Sequence, residues 1–361
     1  MKGLMQEMGD RALALGIPLA VHLDLTYRCN ERCVHCYLDH EDHGEMTTAE
    51  ILRVLDDVAG AGTFFLTLSG GEIFMRPDLF EIIAHARKLT FVVKLKTNAV
   101  MITRAKAVRL KALGVDSVQV SLYSHRAEAH DAITKLPGSL KRTIEGVKRL
   151  REQGIKVAFA NVLMKGNEDD YGHVRALAHS MGAGFSIDPM ITPAMDGARE
   201  VLGLNIDAAR LAALYQDRTL APDTPEPGAA PAGPVAPEDA GQMVPCSAGH
   251  TLAYISPYGE VFPCVQFPYS CGNVRQQRFA DIWKDSPQLA EVRSVRLADV
   301  EGCSTCVHGA SCSRCPGLAF TEGNLRGPSI QDCERSYAIT GVASKNLERR
   351  RRVIWLAAPA A

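Results

Sequence analysis

Between Leu19 and about Met190, short β-branched runs alternate with stretches whose apolar residues recur every three or four positions. That alternation predicts parallel strands joined by crossover helices. The runs are AVHLDL (20–25), FFLTLS (64–69), FVVKLK (91–96), SVQVSL (117–122), KVAFANVL (156–163) and GFSIDPM (184–190). Local signals agree: Thr47 and Glu50 make a capping box, Pro77 suits a first helical turn, and Gly114 and Gly154 end helices ahead of the next strand. Six such units are too few for a closed eight-fold barrel. The pattern therefore predicts an α/β fold, a partial (β/α)6 barrel with its function at the C-terminal strand ends.

A helix over about Asn205–Gln216 is followed by TLAPDTPEPGAAPAGPVAPEDAG, where Pro, Ala and Gly dominate and periodicity vanishes. From Pro245 onward come eight of the eleven cysteines, set among short turns, so this part is expected to fold around metal rather than around a large apolar core. The expected organisation is a barrel over 1–200, a helix and linker over 201–241, a cysteine-rich domain over 242–340 and a basic tail over 341–361. With 46% hydrophobic and 22% charged residues in 361, the chain reads as globular, and a net charge of -1 gives no footprint for nucleic acid. The start carries no signal-peptide pattern and no stretch is apolar for long enough to cross a bilayer, which predicts a cytoplasmic protein. In that reducing setting the thiols point to metal sites rather than disulfides.

TYRCNERCVHCY spaces Cys29, Cys33 and Cys36 as C-x3-C-x2-C directly after the first strand. Three thiolates can hold three irons of a cubane and leave the fourth open, whereas electron-transfer clusters and structural zinc sites are usually closed by four protein ligands. Zinc completed by His35 or His40 is the bland alternative. By this motif at this place the chain resembles the radical S-adenosylmethionine (SAM) superfamily. The resemblance implies that SAM chelates the open iron and is cleaved by one electron to methionine and a 5′-deoxyadenosyl radical, which abstracts hydrogen from a substrate.

Ser69-Gly70-Gly71-Glu72, after the second strand, matches the family's GGE motif, and the resemblance implies that it contacts the methionine ammonium group. Asn98 after the third strand and Ser121 on the fourth stand where the family places groups that contact SAM; each can equally be a strand-end residue in a local turn bond. The family's His-Asp-x-x-Arg segment reads His130-Asp131-Ala132-Ile133-Thr134 here, so its arginine is missing. Lys135 and Arg142 are the substitutes on offer for meeting the SAM carboxylate.

Cys246, Cys264, the run Cys303-x2-Cys306-x5-Cys312-x2-Cys315, and Cys333, together with ISPYGEVFPC, GNV and DIW, resemble the SPASM domain, which binds two auxiliary [4Fe-4S] clusters. Carried over by position, Cys303, Cys306, Cys312 and Cys333 hold the outer cluster, and Cys246, Cys264 and Cys315 the inner one. Two residues separate Cys312 from Cys315 where the family usually has three. Cys271 either completes the inner cluster or is a thiol beside an open one. With the barrel site this makes three [4Fe-4S] clusters; a structural zinc ribbon is the alternative.

The resemblance implies an oxidoreductase that modifies a ribosomally made peptide by crosslink, thioether or oxidation, or else acts on a small cofactor or haem-type precursor. The sulfatase-activating relatives carry aspartate where this chain has Val265. A one-electron reductant of flavodoxin or ferredoxin type is implied, and a separate peptide-recognition protein is a further candidate partner. Asp188 is a candidate proton acceptor, more simply a strand-end cap, while His22 and Asp24 read as core and loop polar groups. Arg349 to Arg352 read as a solvated helix end or a grip for an acidic leader. The competing class is a non-catalytic iron-sulfur carrier or a zinc-binding module.

Overall fold

The computed structural model describes residues 3–195, 197–217, 219 and 230–349. Its elements in order are α1 (Leu4–Leu15), β1 (Ala20–Thr26), α2 (Thr48–Gly60), β2 (Phe65–Gly70), α3 (Leu79–Lys88), β3 (Val92–Thr97), α4 (Arg104–Ala112), β4 (Ser117–Ser121), α5 (Ala127–Thr134), α6 (Ser139–Glu152), β5 (Lys156–Val162), α7 (Tyr171–Ser180) and β6 (Gly184–Asp188). Three short strands come later: β7 (Leu252–Ile255), β8 (Glu260–Phe262) and β9 (Gly272–Asn273). All nine lie in one sheet in the order β6-β5-β4-β3-β2-β1-β7-β8-β9. From β6 to β7 neighbours are parallel; β8 and β9 add on antiparallel.

Alternation explains the two faces of the parallel strands. Val21, Leu23 and Leu25, Leu66 and Leu68, Val93 and Leu95, Val118 and Val120, and Val157 and Phe159 are buried in one core with the helices. Thr67, Lys94, Lys96, Gln119, Ser121 and Ser186 alternate with them and stay half-buried or exposed. The second set makes a polar inner face.

Caps fix where the helices begin. Thr47 and Glu50 form the reciprocal capping box of α2. Pro77 lies one residue before Asp78, the N-cap position of α3, and so precedes the first turn instead of occupying it. Gly114 and Gly154, at φ +72° and +68°, each follow the last residue of a helix cap.

Two compact units are present. The first comprises Met1–Asn205 and Ala248–Ala290, so the sheet runs three strands beyond the six expected, and β7 to β9 belong to it. The second comprises Ile206–Ser247 and Glu291–Ala361. Within it the helix Ala208–Gln216 packs on the helix Ile330–Thr340, and the Gln216 amide donates to the Ile339 carbonyl at 3.2 Å. That first helix starts at Ala208 because the Asp207 carboxylate accepts from the Arg210 N–H at 2.8 Å. Much of the expected linker (218 and 220–229) and of the basic tail (350–361) lies outside the described residues, as do three of the four arginines in the run that begins at Arg349.

Candidate active site

The three-cysteine loop leaves β1 through a set of anchors. Glu45, nearly buried, accepts from the Thr26 hydroxyl and from the Tyr27 N–H at 2.9 Å, and pairs with Arg28 at 3.0 Å. Buried Arg76 donates to the carbonyls of Leu25 and Met46, both at 3.0 Å. Farther on, the loop leans on the end of α5: the N–H groups of Arg32 and Val34 donate to the carbonyls of Thr134 and Ile133 at 3.0 and 2.9 Å. Its backbone is thus held at both ends.

Burial pushes the Cys29 thiol up to about 12, and it raises Cys33 and Cys36 as well. The charges of Glu31 and Cys36 raise Cys29 and Cys33 further, and Cys29 also raises Cys33. Glu31 is itself buried, with its carboxyl pushed up to about 7 and one oxygen, Oε1, without a partner. Such a group of like-charged donors is poorly stable as free thiolates, and iron binding is what would stabilise that form. Among the described residues no three Cys, His, Asp or Glu side chains are close enough to share one metal ion. A cubane does not require that, since each thiolate takes a different iron. His35 packs edge-on against Tyr123, ring centroids 4.8 Å apart, and burial takes its imidazole down to about 4. The residues fit a three-thiolate cluster.

Gly70 and Gly71 are required by a close approach within the chain. A Cβ on Gly70 would lie 2.1 Å from the Thr26 carbonyl oxygen, and one on Gly71 2.4 Å from that of Arg28. The Gly71 and Glu72 N–H groups donate to those same two carbonyls, at 2.8 and 2.9 Å. The end of β2 and the start of the cysteine loop therefore lie directly on each other. Glu72 is fully buried and turns its carboxylate inward, accepting from the Thr97 hydroxyl and from the N–H groups of Asn98 and Phe74 at 2.9 and 3.0 Å. Asn98 continues the connection, since its amide donates to Asn30 Oδ1 at 2.8 Å and approaches the Cys29 sulfur at 3.9 Å. Ser121 bonds to the hydroxyl of buried Tyr123, itself 4.0 Å from Cys33 Sγ.

Thr134, in the place of the missing arginine, is fully buried against the Ser139 hydroxyl. Lys135 ends α5 in the left-handed conformation. Arg142 donates to the carbonyls of Gly138 and Pro137, and its charge acts on Glu31. Asp188 accepts from the Met190 N–H at 3.1 Å, the local cap that a strand-end carboxylate makes. His22 and Asp24 pair at 3.0 Å, and Tyr254 on β7 donates to Asp24 at 2.9 Å.

The other thiols fall into two places. Cys264 follows β8, and Cys271, in the first unit's core, turns its thiol to the Tyr269 carbonyl at 3.2 Å. In the second unit Cys303, Cys306, Cys312 and Cys333 act on one another electrostatically, while Cys315 is raised by Cys246. Burial is the largest cause for each of the shifted thiols, taking Cys303 and Cys315 to about 11 and Cys333 to about 12.

Residues 23–178 match the model of the radical SAM superfamily, and residues 246–307 that of an iron-sulfur cluster-binding domain, SPASM. Over 357 residues the chain is 30% identical to mycofactocin maturase MftC of Mycobacterium ulcerans, covering 94% of each. The chain belongs to the radical SAM superfamily. It is 28% identical over 324 residues to an AdoMet-dependent heme synthase of Oleidesulfovibrio alaskensis, covering 82% of each. Its fold is similar to that of Streptococcus suis SuiB bound to precursor peptide SuiA, with a TM-score of 0.70 at 18% identity over 91% of this chain and 79% of that one.

As a radical SAM protein with a SPASM domain, the chain is an enzyme of radical chemistry whose cofactors are SAM and [4Fe-4S] clusters, one binding SAM and others auxiliary. No described helix is long and apolar enough to cross a membrane. Several residues around the radical SAM loop escaped the sequence reading. Glu45 sits in an aperiodic stretch, and Tyr254 lies 230 positions from the Asp24 that it meets. Glu31, between two of the motif's cysteines, was visible as a carboxylate inside a metal loop, and that was the available signal.

Proposed function

We propose that this radical SAM enzyme modifies a ribosomally made peptide, with the barrel cluster on Cys29, Cys33 and Cys36. The observation that carries the reading is the 30% identity to a mycofactocin maturase along 94% of both chains. When bound, the cluster supplies the electron for SAM cleavage, and substrate chemistry then begins with hydrogen abstraction. The chain's own residues do the positioning. Gly70 and Gly71 bring the end of β2 against the loop, Glu72 and Asn98 lock the end of β3 to it, and Ser121 presents a hydroxyl at the inner face. Arg142, whose charge acts on Glu31 in the cysteine loop, is the substitute supported for meeting the SAM carboxylate.

Cys303, Cys306, Cys312 and Cys333 supply the outer auxiliary cluster, a set supported by their mutual electrostatic influence. By resemblance Cys246, Cys264 and Cys315 serve the inner one, and the core placement of Cys271 supports reading it as a packing thiol. A flavodoxin- or ferredoxin-type protein delivers the electron, a separate protein presents the peptide, and the reducing cytoplasm keeps the thiols available.

A haem-type precursor is the second reading. It is favoured by the 28% identity to a heme synthase and by Lys96, an exposed cation on the inner face suited to a carboxylate. The test is anaerobic turnover with SAM and reductant, scored for 5′-deoxyadenosine, followed by mass spectrometry of a precursor peptide co-expressed from a neighbouring short reading frame. A mass change supports the peptide reading. An unchanged, well-expressed peptide removes it, and absence of 5′-deoxyadenosine from fully iron-loaded protein removes both.

A further inference from the structure

Arg314 stands between Cys312 and Cys315 in the sequence and is only 5% exposed. Burying a guanidinium in this way is unfavourable unless its charge is matched and its donors are bonded. Two of its nitrogens are accounted for. Nε donates to the Gly327 carbonyl at 2.8 Å and Nη2 to that of Leu325, which fixes the plane of the group. Nη1 is buried without a partner.

The groups acting on Arg314 are the thiols of Cys303, Cys315 and Cys312 and the carboxylate of Asp332. Asp332 is already engaged, since it accepts from the Cys315 N–H at 2.7 Å and pairs with Arg335 at 2.9 Å. The charges of two guanidinium groups thus act on one carboxylate, which Arg335 already pairs, leaving a surplus positive charge whose Nη1 is a spare donor. Thiolates bound to iron would supply the missing negative charge.

We infer that Arg314 is a charge-tuning residue of the outer auxiliary cluster, two of whose thiols, Cys303 and Cys312, act on it, and that it raises that cluster's reduction potential. Reduction adds one negative charge to the cluster, and a fixed buried cation stabilises the more negative form. The inference rests on the auxiliary-cluster assignment above and adds to it a role for a residue that ligates nothing.

The test uses the full-length chain with Cys29→Ala, Cys33→Ala and Cys36→Ala, reconstituted with iron and sulfide, so that only auxiliary clusters remain. Redox titration followed by electron paramagnetic resonance then reads their midpoints. Arg314→Gln should lower one midpoint, so that at the parent's midpoint the ratio of reduced to oxidised cluster falls at least tenfold, or about 59 mV for one electron. Arg314→Lys, which keeps the charge, should stay within about threefold of the parent. An unchanged midpoint in a fully loaded Arg314→Gln protein overturns the inference alone. If that variant fails to load iron, Arg314→Lys decides: loading supports a role for the charge, whereas failure of both makes Arg314 a prop for the 325–327 loop and overturns it. A parent that binds no iron overturns the cluster assignment itself, and the inference with it.

Discussion

The Thr97 hydroxyl lies 2.8 and 2.7 Å from the two oxygens of Glu72, and this pair ties the end of β3 to the end of β2 beneath the cysteine loop. Removing the carboxylate leaves the Thr97 hydroxyl and two buried N–H groups without an acceptor. Each such loss costs about 1–3 kcal/mol. Glu72→Ala should therefore destabilise by about 3 kcal/mol or more and reduce iron at the barrel site, whereas Glu72→Gln, which keeps an acceptor, should cost about 1 kcal/mol. Anaerobic thermal unfolding with iron analysis checks both, and equal melting of Glu72→Ala and the parent would contradict the role.

Gly71 offers a purely steric test. The backbone oxygens of Arg28 and Tyr27 lie 2.4 and 2.6 Å from where a Cβ would be, and neither can move without moving the cysteine loop. Gly71→Ala should abolish 5′-deoxyadenosine release and the barrel cluster's spectrum. Gly138, at φ +74° with nothing within 4 Å of its Cβ position, is the control. Gly138→Ala should cost only about 1 kcal/mol and leave release intact.

These two sites show what was legible in the sequence and what was not. Cys29, Cys33 and Cys36 are close in sequence, so their spacing was legible as a metal motif that resembles the radical SAM family's, and five of the six longer strands bury one face, which writes a period into the chain. Glu72 was legible through the GGE motif, which by resemblance contacts the methionine ammonium group. Its inward turn depends on Thr97 and Asn98, which lie 25 and 26 positions away on another strand, and no local pattern records that. Strands β7 to β9 have four, three and two residues, too few for alternation to register. Gly70 and Gly71 were legible through the GGE motif, whereas their close approach to the carbonyls of Thr26 and Arg28 joins segments more than forty positions apart and has no local signal.

Cys271 and Cys264 should behave differently on substitution. Cys271 is 6% exposed in the first unit's core, with its thiol directed to the Tyr269 carbonyl, so it is already satisfied as a packing residue. Cys271→Ala should keep the parent's iron and sulfide per chain at a cost of about 1 kcal/mol in stability. Cys264→Ala should lose the iron of one cluster. Loss of a cluster's iron from Cys271→Ala instead would restore it as a ligand.

His130 should make the fold acid-sensitive over a definite window. The imidazole is almost fully buried and stacks on Tyr123; its Nδ1 accepts from the Tyr123 N–H at 3.2 Å, and Nε2 has no partner. Burial lowers its pKa to about 4 from the ordinary 6.5. As pH falls through 6.5 the unfolded chain takes up a proton that the folded chain refuses, so stability present above 6.5 is lost progressively down to about 4. Between pH 7.5 and 5.5 the loss amounts to roughly 1 kcal/mol. His130→Asn keeps an acceptor for the Tyr123 N–H and removes the titration. In anaerobic unfolding curves the parent should lose that much more stability than His130→Asn across the window, and parallel pH profiles for the two proteins would show that this imidazole does not carry the effect.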